Sequence, residues 1–129
     1  MNKSMLIGRL VAHPEIIKTS NDKSLVRTTL AVNRRFKTDD GTREADFISI
    51  VIWGKTAENF ASYAKKGALI SIEGEIRTRQ FTDQKKIKHY VTEILVSTYE
   101  LLESRATMAM RENNQQTETL ILEAEEFPF

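Results

Sequence analysis

The hydrophobic period changes once along this chain, and the place of that change limits the folds open to it. Up to Trp53 apolar residues recur at every second position in short runs separated by turn signals; between Ala57 and Ala64 they take helical spacing, and from Leu69 the period returns to two. The first run covers roughly Lys3 to Val11 and ends near Pro14. Thr19-Ser20-Asn21-Asp22 then turns the chain into a second strand, about Leu25 to Arg35, and Asp39-Asp40-Gly41 marks the next hairpin. A third strand spans about Asp46 to Trp53. Ala57, Phe60, Ala61 and Ala64 share one helical face, with Thr56 placed to cap the start and Gly67 to close the end. Two more strands, about Leu69 to Phe81 and Tyr90 to Leu101, are joined by a polar, basic hairpin.

Three strands, a helix and two strands make an all-β fold with one short helix, and β-β-β-α-β-β is the element order of the five-stranded OB-fold barrel. A generic α+β sheet is the competing arrangement; the long strands and the place of the helix favour the small barrel. The 129 residues divide into one domain over 1–105, able to bury a core without staples, a short polar tether over 106–122, and an acidic tip over 123–129. Asn113 to Glu118 carry no structural signal, so tether and tip are expected to be a disordered tail.

Composition removes several function classes. With no cysteine there is neither a disulfide framework nor a thiolate metal site. No apolar run approaches the roughly 18 residues of a membrane span, and the apolar part of Met1 to Arg9 is too short for a signal peptide. A soluble, cytoplasmic protein with no membrane partner is expected. Catalysis is poorly provided for: His13 precedes a proline, His89 lies in or beside the basic hairpin, and neither has metal-ligand spacing. Glu73 and Glu75 share a strand face, but beside Arg77 they fit an ion-paired edge or interface. No enzyme, cofactor or metal is expected.

Charge is divided. Residues 1 to 111 hold all 19 Lys and Arg against 13 acids, whereas residues 112 to 129 hold five Glu and no base. A basic body with an acidic tail points to a polyanion partner. Strand parity sharpens this. Ile48, Ile50 and Ile52 alternate with Phe47, Ser49, Val51 and Trp53, so an isoleucine row faces the interior and two aromatics face outward. In the fourth strand Ile70, Ile72 and Ile76 share one parity while Arg77, Arg79 and Phe81 share the other. Arg34-Arg35-Phe36-Lys37 repeats the mixture, and the hairpin Thr82 to His89, with Lys85, Lys86 and Lys88, supplies a basic arm. Aromatics interleaved with cations meet the flat bases and the charged backbone of a single nucleic-acid strand together.

From Asn2 to about Glu103 the chain resembles the bacterial single-stranded DNA-binding proteins. The resemblance rests on Met5-Leu6-Ile7-Gly8-Arg9-Leu10 with His13-Pro14-Glu15, on Asp46-Phe47-Ile48 through Val51-Ile52-Trp53-Gly54-Lys55 with Ala57-Glu58, on Lys66-Gly67, on Ile72 through Phe81, and on Tyr90-Val91-Thr92-Glu93. It implies base stacking on Phe36, Phe47, Trp53 and Phe81, three of which are Phe where the family often has Trp. It also implies a DNA path along Lys55, Lys66, Arg77 and Arg79, and assembly as a homotetramer that wraps DNA. Arg34, Arg35, Lys85, Lys86 and Lys88 join that path on their charge and position alone.

The end of the chain resembles the family's acidic terminus, which docks replication, repair and recombination proteins. Glu123, Glu125 and Glu126 would meet a basic rim while Phe127, Pro128 and Phe129 enter a pocket, Pro128 stiffening the tip. The family's usual end has consecutive Asp residues and an aliphatic before Pro-Phe, so affinity for each partner differs here. The tether is also short, as in secondary paralogues that serve DNA uptake or recombination in naturally transformable bacteria. The competing function is an OB-fold adaptor or RNA-binding accessory factor using the same aromatic and basic face; RNA binding would require readout of the 2′-hydroxyl or of base edges.

Overall fold

The structure is a computed structural model and describes residues 1–104 and 106–110. Its elements run β1 (Ser4–Leu10), β2 (Ile16–Lys18), β3 (Ser24–Lys37), β4 (Arg43–Trp53), α1 (Gly54–Tyr63), β5 (Leu69–Thr82) and β6 (Lys88–Leu101). The sheet follows the order β1-β5-β6-β4-β3-β2, and a further pairing of β1 with β3 closes the five long strands into a barrel. All pairings are antiparallel except the short contact of β4 with β6, which is parallel through Ile50↔Ile94 and Val51↔Leu95. This is the expected five-stranded barrel with one short helix. The addition is β2, an edge strand on β3 whose three residues are all exposed and so carry no alternation by which to recognise it.

The interior isoleucines do as their parity implies: Ile50, Ile52, Ile70 and Ile72 are buried with Val26 and Leu30. Helix α1 adds Ala57 and Phe60 to the same core, and Ala64 follows at its end. Phe60 has no exposed surface and meets Tyr99 edge-on at 5.0 Å between ring centroids. Burial holds the Tyr99 hydroxyl above its usual pKa. A helical turn at 106–110, just past the barrel, places Met108 in the core at 5 % exposure. Val51 is buried as well, although its parity is outward, with Arg27 and Leu95 as its cross-strand neighbours.

Both expected helix caps are corrected. The helix starts at Gly54, whose φ of +72° is a conformation that favours glycine and turns the extended chain at Trp53 directly into α1. Thr56 therefore lies inside the first turn and caps nothing. The helix ends when Ala64, its N–H bonded to the Phe60 carbonyl, becomes extended. Gly67 belongs to the following turn, where its N–H donates to the Leu10 carbonyl at 2.8 Å.

Four of the strands outrun the barrel. In β5, Leu69 to Glu75 are buried or half-buried, whereas Ile76 to Thr82 are exposed although their ladder with β6 continues to Thr82↔Lys88. Residues 33–37 of β3 and most of the first half of β4 are likewise exposed. Two antiparallel arms thus project from the core. Ile76 is a correction: it shares the parity of Ile70 and Ile72 but lies past the barrel's end, 47 % exposed. Gly74 marks the exit. A Cβ there would collide with the Leu95 carbonyl oxygen, and the register with β6 shifts beside it, leaving Ser97 as the extra residue, with its hydroxyl donating to the Glu73 carbonyl at 2.8 Å. The basic hairpin is also tighter than expected, since pairing extends to Lys88 and leaves only residues 83–87 as the turn.

Candidate nucleic-acid interface

The outer face of β3, β4, β6 and β5 is a continuous surface, and strand register sets its side chains side by side. Arg27 stands opposite Val51, Val51 beside Leu95, and Leu95 opposite Glu75; Ala31 stands opposite Phe47, and Arg77 opposite Glu93. Phe47 is 69 % exposed and Trp53 is 41 % exposed, both on β4. Phe81 lies at the far end of the β5–β6 arm and Phe36 near the end of β3, on the other arm. All four aromatics are exposed, but they lie in separate places: two on the barrel and one on each arm.

The cations differ in what already holds them. Arg34 donates to Glu44 at 3.0 Å and to Asp46 at 2.9 Å. Its hydrogen bonds hold the Asp46 carboxyl below the usual carboxylate range, and the guanidinium is raised in turn. Arg34 thus ties β3 to β4 across one arm. Arg35 projects toward Phe36, its Cζ 5.7 Å from the ring centroid. Arg77 turns back along its own strand to Glu75, with Nε 3.0 Å from the carboxylate, and Lys3 pairs with Glu73, so the two glutamates are ion-paired.

Arg79 reaches Glu93 diagonally, with Nε 3.2 Å from Oε1, while its Cζ lies 5.5 Å from the Phe81 centroid. The other oxygen of Glu93 accepts from Arg27 Nη1 at 2.8 Å. One nearly buried carboxylate, its side chain 8 % exposed, therefore clamps two arginines from strands β3 and β5 in the middle of the face. Neither Arg27 nor Glu93 stands out in the sequence as a member of the site. Arg27 has the outward parity of its strand, but only three-dimensional register shows that it meets a residue 66 positions away.

Trp53 borders two grooves. One is lined by Lys18, Lys23, Ser24, Lys55 and Glu58, with the start of α1 behind it; the other by Met1, Lys3, Glu73 and Ser97. Lys55 is thus beside Trp53, and Lys18 at the end of β2 and Lys23 just before β3 are additions to the same groove. Lys66 lies elsewhere, in the turn before β5, where its N–H donates to His13 Nδ1 at 3.2 Å. Phe81 is at the opposite end of that strand. Lys85 and Lys86 occupy the β5–β6 turn, with Asp83 accepting the Lys85 and Ile87 amides, and Lys88 opens β6 opposite Thr82.

Among the described residues no group of His, Cys, Asp and Glu could hold a metal ion, and no helix is long and apolar enough to cross a membrane. The expected docking residues Glu123, Glu125, Glu126, Phe127, Pro128 and Phe129 lie outside the described residues.

Residues 1–102 match the single-strand binding protein family. The chain is 57 % identical over 130 residues to single-stranded DNA-binding protein 2 of Streptococcus agalactiae serotype V, covering 99 % of this chain and 98 % of the relative. Single-stranded DNA-binding protein 1 of Streptococcus pyogenes serotype M6 is 56 % identical with the same coverage. A relative from Lactiplantibacillus plantarum, a single-stranded DNA-binding protein, is 48 % identical over 106 residues, covering 82 % of this chain and 53 % of the relative. A match this specific, spanning the whole barrel and its exposed aromatic face, has one meaning: the chain belongs to the single-strand binding protein family.

Proposed function

We propose that the chain binds single-stranded DNA without sequence preference and protects it during replication, recombination, repair or DNA uptake. The observation that carries this reading is the outer face of a family barrel on which Phe47, Trp53 and Phe81 are exposed beside Arg27, Lys55, Arg77 and Arg79. Bases stack on Phe36, Phe47, Trp53 and Phe81, each stack being worth roughly 1–3 kcal/mol whatever the base. Phosphates are neutralised by Lys55, Lys66, Arg77 and Arg79, with Arg35, Lys85, Lys86 and Lys88 extending the path along the arms. Arg34 contributes less, because two carboxylates compete with phosphate for it. The barrels work as a homotetramer in the cytoplasm, the segment that follows the helical turn at 106–110 acts as a tether up to residue 122, and residues 123–129 recruit partner proteins.

Trp53 is the only tryptophan, so its fluorescence tests the reading directly. Oligothymidylate is expected to quench it strongly, and duplex of equal length to quench it little. The affinity is expected to fall with salt by about 0.7 log units per log unit for each phosphate neutralised. Absence of quenching, with absence of binding in a mobility-shift assay, would overturn the proposal.

A further inference from the structure

The tip of the β5–β6 arm carries a ring that the DNA path above does not use. His89 stands opposite Phe81, and the two rings are stacked, with centroids 4.9 Å apart and planes 17° from parallel. His89 Nε2 lies 2.7 Å from Asp83 Oδ2, and the Asp83 carboxylate is fixed from its other oxygen by the amides of Lys85 and Ile87. Arg79 lies 5.5 Å from the same Phe81 ring. A base arriving at Phe81 therefore finds one face of the ring already covered. Clearing it would break both the stack and the hydrogen bond to Asp83, whereas stacking on the imidazole itself, whose side chain is 44 % exposed, need break neither.

We propose that His89 is a fifth ring of the strand-binding face, offered to a base beside Phe81 at the tip of this arm, and that its protonation tightens the grip on a single strand. The inference rests on the single-stranded DNA reading above. Its sign follows from the charges around the ring. With a neutral imidazole, Asp83 leaves a full negative charge where a phosphate must pass; with an imidazolium, the pair is neutral. The other charges on the elements around the ring are cations: Arg79, 5.5 Å from the Phe81 ring on β5, Lys88 next to it in sequence on β6, and Lys85 and Lys86 in the turn. The hydrogen bond from His89 is also the main reason the Asp83 carboxyl is held below its usual range, so this carboxylate keeps its charge at mildly acid pH. Histidine is the side chain whose charge ordinarily changes between about pH 5 and 8.

The test is the affinity of the full chain for oligothymidylate, whose bases do not titrate in this range, between pH 7.5 and 5.5. Wild-type affinity is expected to rise about two- to fivefold per arm on acidification, the size of an exposed charge contact. His89→Phe keeps a stacked ring and loses the proton, so it should hold the affinity seen at pH 7.5 and lose the rise. His89→Ala should bind more weakly at pH 7.5. His13→Gln, which alters the only other histidine, should behave as wild type. A rise that survives in His89→Phe, a rise abolished by His13→Gln, or a wild type without one would each overturn the protonation; unchanged binding by His89→Ala would overturn the stacking. Failure of the single-stranded DNA reading is distinct, because then oligothymidylate binds at no pH.

Discussion

The barrel and its two arms are made of the same strands but obey different physics. Inside the barrel, β3 and β5 bury Val26, Leu30, Ile70 and Ile72 on a core closed by Phe60. A few residues later these strands are exposed on both faces and are held by ladder hydrogen bonds, ion pairs and ring contacts alone. Among the described residues, the three carboxyls held below their usual range, Asp40, Asp46 and Asp83, all belong to the arms. The core therefore resides in the barrel, while much of the proposed binding chemistry sits on arms outside it.

The strongest way to break that division is in the core. Phe60→Ala should cost about 3–5 kcal/mol, and Gly74→Ala, which drives a methyl into the Leu95 carbonyl, should also lower the melting temperature measurably. Both are expected to reduce DNA binding only as far as they unfold the protein, which calorimetry and titration on the same sample would show. The reverse is expected of Phe36→Ala and Phe81→Ala on the arms: a loss of roughly 1–3 kcal/mol in affinity for oligothymidylate, with a melting temperature close to wild type.

Glu93→Gln tests the point at which the two regions meet. Removing this charge leaves Arg27 and Arg79 without their common partner. It should destabilise the fold by about 1–3 kcal/mol and steepen the salt dependence of binding by up to about 0.7 for each arginine released. An unchanged slope would mean that Glu93 withholds neither arginine from phosphate. The smallest effect is expected from Asp46→Asn. The folded-state pKa of Asp46 is depressed, so its contribution is present above the unfolded value near 3.9 and lost as pH falls through the folded one. Melting temperatures of the variant should thus lie slightly below wild type at neutral pH and converge on it as pH falls below about 4.

The barrel was legible in the sequence because its signals are local. Ile48, Ile50 and Ile52 alternate, the period changes at Gly54, and turn residues separate the runs. Where a strand leaves the barrel is not a local property: Ile76 continues the alternation of Ile70 and Ile72, and only the collision at Gly74 and the register shift against β6 end the core there. The same limit applies to the site. Exposed aromatics could be placed by parity, but whether an arginine is available depends on its cross-strand partners. Arg34 is engaged by Asp46 and Glu44 within its hairpin, and Arg27 and Arg79 converge on Glu93 from two different strands. Thr56 shows the converse error: a good capping residue was overridden by a glycine two positions earlier that could adopt the required φ.

The closing pairing of the barrel also has a consequence in time. Residues Ser4 to Arg9 find their partners at Leu69 to Gly74, and β4 meets β6 only near Ile94. Each hairpin arm can form as soon as its own turn has been made, but the barrel cannot close until about the first hundred residues have been synthesised. At ordinary translation rates of about 5–20 residues per second, Phe47 and Trp53 wait roughly 2–10 seconds, and the unpaired edge of β1 roughly 5–20 seconds, without their final neighbours. Long-range closure of this kind also folds slowly once the chain is free, so the nascent chain, rather than the finished barrel, is the form of this protein most exposed to aggregation.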